Sequence, residues 1–393
     1  MDSLFRIHRD LLGTVNFPLR RHLHNKIDWE HRLIGIKGSR GVGKTAFLMQ
    51  YILERYDVSS RKCLYINLDD FYFTTKTIKE LAREFILRGG EVLLIDQIYK
   101  YPCWAKELAY CYDNFSELKI IFAASSVIQL EKDASEIIGK VKTYCIKGFS
   151  FREHLELELN ENFDIYSLDD ILLHHEEIAT SITKKIHPLA YMDTYVKSGF
   201  YPFCREAHNF NENLTRALNM AFEVDVSSIN QIEQTYIPKI RKLLYLLTLD
   251  SPAGPNISYL SQEIETSRAT VTNYLKYLCD AMLINPLYSE KSENNQKPEK
   301  IYASNTNLLC SMRDLSTMDQ LVKETFFLSH LLPEYEVNPV NKNVHFRVNN
   351  THNFVIGEEI GKGKFNPDTY YAIGRIEQGE LKVIPLWLFG FLY

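Results

Sequence analysis

The chain has 393 residues, enough for roughly two to four domains with substantial cores, because a single core rarely grows past about 250 to 300 residues. Apolar residues make up 45% of it and charged residues 24%, the proportions of an ordinary globular chain. The formal net charge of −5 excludes a global basic field that would draw the chain to nucleic acid or an anionic membrane, and leaves room only for a local basic patch.

Residues 1–31 read as a helical lead-in, with Pro18, Arg20, Arg21 and Trp29 close to the start of the first strand. Residues 32–37 then form a short apolar run of strand type, and residues 46–53 have the length and composition of a helix. Between them Gly38-Ser39-Arg40-Gly41-Val42-Gly43-Lys44-Thr45 fits the phosphate-binding pattern GxxxxGK[ST]. Its three glycines free the backbone, so that successive N–H groups from Gly38, Arg40, Gly41, Val42, Gly43 and Ala46 converge on phosphate oxygens at the positive end of the following helix. Lys44 is expected to reach the β- and γ-phosphates of ATP, and the Thr45 hydroxyl to take one position on Mg²⁺. The lead-in either packs as a surface segment or borders the adenine.

A second strand is expected over 62–69 and a helix over 74–87, ended by Gly89-Gly90. Residues 92–96 are four apolar residues and an aspartate, the pattern of a strand that carries a Mg²⁺-organising carboxylate, Asp96, at its C-terminal edge. Gln97 follows. Where P-loop ATPases place a glutamate here, its carboxylate orients the attacking water and helps to deprotonate it; a glutamine can hold that water but cannot take its proton at neutral pH. The expectation is tight ATP binding with slow hydrolysis. A helix over 105–115 and a strand over 118–124 lead to Ser125-Ser126, either a sensor for the γ-phosphate or lytic water, or a pair of helix-capping serines. One more strand is expected over 137–147, so the first 150 residues alternate strands and helices. That is the signature of an α/β parallel sheet covered on both faces, a P-loop NTPase domain.

Residues 148–155 open a mostly helical stretch that runs to about residue 230. Arg40-Gly41-Val42-Gly43-Lys44-Thr45, Ile95-Asp96 followed by Tyr101-Pro102-Cys103-Trp104, and Phe149-Ser150-Phe151-Arg152-Glu153 together resemble the AAA-type ATPases of bacteria and archaea related to the STAND NTPases. The resemblance implies a P-loop ATPase domain over 1–150, a helical domain over 151–235, a winged helix over 236–307 and a C-terminal module over 308–393 similar to PD-(D/E)xK nucleases. It also implies a homo-oligomer. Gly199-Phe200-Tyr201-Pro202 matches the family's Gly-Gly-Tyr-Pro element except at the second glycine. By that resemblance Pro202 approaches the adenine; the other reading is a rigid turn between helices. Arg152 is a candidate for sensing or for reaching a neighbour's γ-phosphate, and Gly139-Lys140 stands where the family has Gly-Arg, which leaves any arginine finger unassigned; surface pairing is the other reading for either basic residue.

Residues 236–249 read as an apolar helix, 257–264 and 267–283 as a helix-turn-helix, and 284–303 as the two strands of a wing whose tip carries Lys291, Lys297 and Lys300. The second helix offers Arg268, Thr270, Thr272, Asn273 and Lys276, either to DNA, to the nucleotide domain or to a protein partner. In the last module a helix is expected over 317–332 and strands at 336–337, 344–348 and 353–356. The nuclease-like order implied by the resemblance is met by Glu324 and Glu359, whereas Asn353 stands where the aspartate is expected and Lys362 and Lys364 have no fixed register. Cleavage of a phosphodiester needs carboxylates converging on Mg²⁺, so the module is expected to be inactive, structural or protein-binding.

Seven cysteines are scattered without CxxC spacing, which argues against a zinc site or a disulfide framework and fits a reducing cytoplasm. No run approaches the ~18 apolar residues that span a bilayer. The apolar run 384–393 contains Pro385 and is expected to be a packed strand or a docking segment. The function that follows is an ATP-binding ATPase coupling nucleotide state to domain arrangement or assembly. The competing one is a nucleotide-gated DNA-binding or scaffold protein without significant turnover.

Overall fold

The computed structural model describes the chain apart from residues 16–18, 127–134, 206, 229–231, 250–253, 290–296, 341–343 and 361–364. Two compact units result: Met1–Lys147 with Glu223–Gln231, and Gly148–Phe222 with Ile232–Tyr393. Against the four domains expected from sequence, the first unit ends three residues before residue 150 and takes in a short segment from much later in the chain.

The first unit is built on a five-stranded sheet, β1 (Leu33–Gly38), β2 (Cys63–Asn67), β3 (Val92–Asp96), β4 (Lys119–Ser125) and β5 (Lys142–Cys145), in the order β2-β3-β4-β1-β5 with every pairing parallel. β1 and β3 are apolar almost without alternation because a parallel sheet is covered on both faces. Leu64, Ile66, Leu93, Ile95, Ile120 and Phe122 meet Leu81, Phe85 and Leu108 from the helices in one buried cluster. The helix Ile78–Leu87 starts where Thr77 and Glu80 form a reciprocal capping box. The lead-in is a helix, Asp2–Thr14, whose Leu4 and Phe5 join that cluster. Where a strand was expected over 137–147, pairing is confined to Lys142–Cys145, and a 3-10 turn covers Ser135–Ile137.

In the second unit, the helices Phe151–Leu159 and Leu168–Thr183 both open on serine capping boxes, at Ser150 and Ser167. The helices Ile257–Glu263 and Arg268–Asp280 follow Ile237–Leu249, and an antiparallel pair, β6 (Ile284–Leu287) and β7 (Lys300–Ala303), comes next. Residues 290–296, including Lys291 of the expected wing tip, lie outside the described residues. A second sheet runs in the order β12-β11-β10-β9-β8: β8 (Val337–Pro339), β9 (Phe346–Val348) and β10 (His352–Gly357) are antiparallel neighbours, while β11 (Thr369–Ile373) and β12 (Val383–Pro385) continue from β10 in parallel. After β12 the chain winds into a 3-10 helix, Leu386–Phe391, with every residue buried. Phe389 sits edge-on to Phe327 and Phe354, so the apolar C-terminal run is core of this unit. No described helix is long and apolar enough to cross a membrane.

Candidate functional site

The order of the first sheet puts β4 between the strand that ends in the phosphate loop and the strand that ends in Asp96. In register, Gly38 of β1 lies opposite Ser125 of β4, and both end at the same sheet edge as Asp96. Crevices outside the carboxyl ends of parallel strands are where such sheets hold ligands. A cavity of about 440 Å³ opens there, lined by Arg40, Gly43, Lys44, Thr45, Asp96, Gln97 and Ser125 among others.

Gly41 and Gly43 take φ of 82° and 89°, left-handed values that admit glycine and strain other residues, and the helix Lys44–Arg55 starts directly after them. Arg21 braces the loop from the lead-in: its guanidinium donates to the carbonyls of Val42 at 3.1 Å and Lys147 at 2.6 Å. Lys44 Nζ donates to the carbonyls of Gly38 at 2.7 Å and Ser39 at 2.8 Å. Burial pushes its ammonium down to about 8; Arg40 adds to that push, and Asp225 and Asp96 work against it.

Asp96 is buried and richly bonded. Its Oδ2 accepts from the Thr45 hydroxyl at 2.5 Å and from the Tyr65 hydroxyl at 3.0 Å, and its Oδ1 accepts the N–H of Gln97 at 2.8 Å. Gln97 itself sits in a left-handed backbone conformation, φ 54° and ψ 41°. A hydroxyl and a carboxylate in contact, with an ammonium lining the same cavity, are a donor set suited to Mg²⁺ and the phosphates of a nucleotide. Ser125 is buried at the end of β4; a helix that it or Ser126 would cap falls in 127–134, outside the described residues.

The other sequence candidates lie in the second unit. Arg152 is buried there, with Nη1 2.5 Å from Glu156 and Nε donating to the Tyr393 carbonyl at 3.1 Å. Pro202 opens a 3-10 turn, Pro202–Arg205, next to the buried Tyr201, which stacks on Phe203. In the C-terminal module, Glu324 accepts from the Tyr302 hydroxyl and from Gln320, each at 2.7 Å, and Asn353 accepts from Arg347 at 2.9 Å. Glu359 is exposed, and Lys362 and Lys364 lie outside the described residues. Among the described residues no group of three or more His, Cys, Asp or Glu is placed to hold a metal ion.

Tyr65, Tyr99 and Asp225 touch the residues of this cavity without having been singled out from sequence. Asp225 meets Arg40 in a two-pronged ion pair, and the Arg40 guanidinium lies over the Tyr99 ring at 4.8 Å. No local pattern marks any of the three.

Residues 30–155 match the protein family described as AAA domain, and residues 190–319 match a domain of unknown function, DUF8612. An uncharacterised protein of Methanocaldococcus jannaschii, MJ1637, is 25% identical in an alignment of 292 positions that covers 68% of this chain. The chain spans about 60% of the length of that curated relative. Among solved structures, a RuvB variant from Thermotoga maritima aligns over 65% of this chain and 82% of its own at 13% identity, with a TM-score of 0.31. The Aeropyrum pernix Orc1 protein in complex with DNA aligns over 84% of this chain and 94% of its own at 13% identity, with a TM-score of 0.32. These overlays are loose. The AAA-domain match and the all-parallel sheet support an AAA-like P-loop fold and nucleotide binding for residues 30–155.

Proposed function

We propose that the chain binds ATP with Mg²⁺ at the phosphate loop and hydrolyses it slowly, the nucleotide state governing domain arrangement or assembly into a homo-oligomer. One observation carries the reading: Thr45 and Asp96, from separate elements, touch at 2.5 Å in the cavity that Lys44 lines. Loop N–H groups and Lys44 bind the phosphates, while Thr45 and Asp96 hold the metal. Bound Mg²⁺ supplies charge neutralisation at the β- and γ-phosphates. Gln97 orients the attacking water through its side-chain amide but has no basic site for the proton, so turnover is slow. Ser125 offers a hydroxyl from the strand between loop and carboxylate.

Calorimetric titration of the chain with ATP and Mg²⁺ tests the binding half: heat of binding is expected, and Lys44→Ala is expected to abolish it. Binding that survives Lys44→Ala would place the nucleotide elsewhere. For the chemical half, Gln97→Glu is expected to raise ATP turnover by on the order of 10²-fold, the contribution of a positioned general base. Equal turnover would remove Gln97 from the reading.

The alternative, a nucleotide-gated DNA-binding protein, has one observation in its favour. Arg268, Thr272 and Lys276, with Asn273 beside them, are exposed at helical spacing on Arg268–Asp280, the second helix of the expected helix-turn-helix. Gel shifts with and without ATP at several salt concentrations test it: salt-sensitive retardation that Arg268→Ala weakens supports it, and no retardation at low salt removes it.

A further inference from the structure

Arg40 stands third in the phosphate loop, yet its charge is already taken. Its Nε and Nη2 meet Asp225 Oδ2 and Oδ1, each at 2.9 Å, in the parallel two-bond geometry that makes an arginine–carboxylate pair strong and directional. The pair is well enclosed, with 15% of the Arg40 side chain and 2% of the Asp225 side chain exposed. Burial works against the Arg40 charge, and Asp225 and Tyr99 outweigh it, so the guanidinium stays firmly protonated. Asp225 also acts on Lys44, where its field favours the ammonium that burial opposes.

The carboxylate that holds Arg40 comes from far along the chain. Asp225 lies in Glu223–Gln231, which is part of the unit that holds the loop, while Phe222 before it and Ile232 after it belong to the other unit. A nucleoside triphosphate brings several negative charges to Arg40 and Lys44. The Asp225 charge opposes them, and the Nε–Nη2 edge of the guanidinium that Asp225 holds is closed to a phosphate while the pair stands.

We propose that Asp225 is an internal anion that opposes the triphosphate at the phosphate loop and competes with it for Arg40, so that filling the loop releases the segment around Asp225. This inference rests on ATP binding at the loop and adds its regulation: nucleotide occupancy is exchanged for an ion pair with a chain segment that leads on both sides into the second unit. A residue that only positioned Arg40 for the phosphates would behave in the opposite way when neutralised.

The test is a cycle of four full-length chains, unsubstituted, Asp225→Asn, Arg40→Gln and the double variant, each titrated with ATP and Mg²⁺ by calorimetry. Asp225→Asn is expected to bind about tenfold more tightly than the unsubstituted chain, the size of one Coulomb interaction between nearby charges in a protein site. Neutralising Asp225 alone strands a buried arginine and can cost stability; the double variant, an amide pair in place of the ion pair, keeps the test open. It is expected to bind several-fold more tightly than Arg40→Gln, because the Asp225 charge acts on the triphosphate whether or not Arg40 is present. Weaker or unchanged binding of Asp225→Asn, or equal binding of Arg40→Gln and the double variant, overturns the competition while leaving ATP binding in place. If no chain in the cycle binds ATP, the nucleotide reading falls and this inference with it.

Discussion

Gln97 holds a left-handed backbone conformation that costs a non-glycine residue about 1 kcal/mol. Strain of this kind persists where neighbours over-determine it: the Gln97 N–H is tied to Asp96 Oδ1, and Ile98 next to it is fully buried. Glutamate enters that region no more easily than glutamine, so Gln97→Glu alters the chemistry beside Asp96 without asking the backbone to move. Support for Asp96 reaches back to His8, whose Nδ1 accepts the Tyr65 N–H at 2.9 Å while the Tyr65 hydroxyl donates to Asp96. Burial, aided by Arg9, pushes the His8 imidazole from 6.5 down to about 4, so the folded chain keeps it neutral. The unfolded chain protonates it near pH 6.5, and between the two values the unfolded state binds more protons. Stability therefore falls as pH falls through that window, by about 3 kcal/mol at its acid end. His8→Asn keeps an acceptor with no proton to gain. It is expected to be somewhat less stable than the unsubstituted chain at about pH 7.5 and to lose less on going to about pH 5. Chemical denaturation at both pH values measures this, and equal losses in the two chains would assign the acid sensitivity to other groups.

Among the elements, those around the phosphate loop declare themselves in sequence because their signals are local. β1, β3 and β4 are apolar runs bounded by Gly38, Asp96 and Ser125, and the helix Ile78–Leu87 announces its start with Thr77 and Glu80. The second sheet is harder to read. β8 and β12 each end in a proline, which argues against a strand, yet they are the outermost strands of their sheet, where a missing N–H is tolerated. β11 escapes notice, and the run after β12 reads as a strand or docking segment although most of it is a buried 3-10 helix. The site divides along the same line. Lys44 and Thr45 sit in one motif and Asp96 closes an apolar strand, so all three are legible. Tyr65 meets Asp96 across 31 residues and Arg40 meets Asp225 across 185, distances over which no periodicity or spacing carries information. Arg152 is paired with Glu156 four residues on, a contact within helical reach.

At the scale of the molecule, the chain leaves the first unit after Lys147, returns for Glu223–Gln231 and leaves again. Lys44, Thr45, Asp96, Gln97, Ser125 and Asp225 all belong to the first unit, so the free energy of nucleotide binding enters there. A ligand bound only by the folded form adds about 2.7 kcal/mol at a hundred times its Kd. Each kcal/mol moves the midpoint of a domain of this size by roughly 2 to 4 °C, which sets the expected rise at roughly 5 to 10 °C. The second unit has its own core, sealed by Phe389 and the buried C-terminal run, and the proposed nucleotide contacts involve none of it. Scanning calorimetry of the full chain is therefore expected to show two transitions, of which ATP with Mg²⁺ raises one and leaves the other in place; Lys44→Ala should abolish the rise. A single transition that moves as a whole would mean that the units unfold as one cooperative body, with binding energy shared across the chain. Two transitions that both ignore ATP would remove the nucleotide from the first unit altogether.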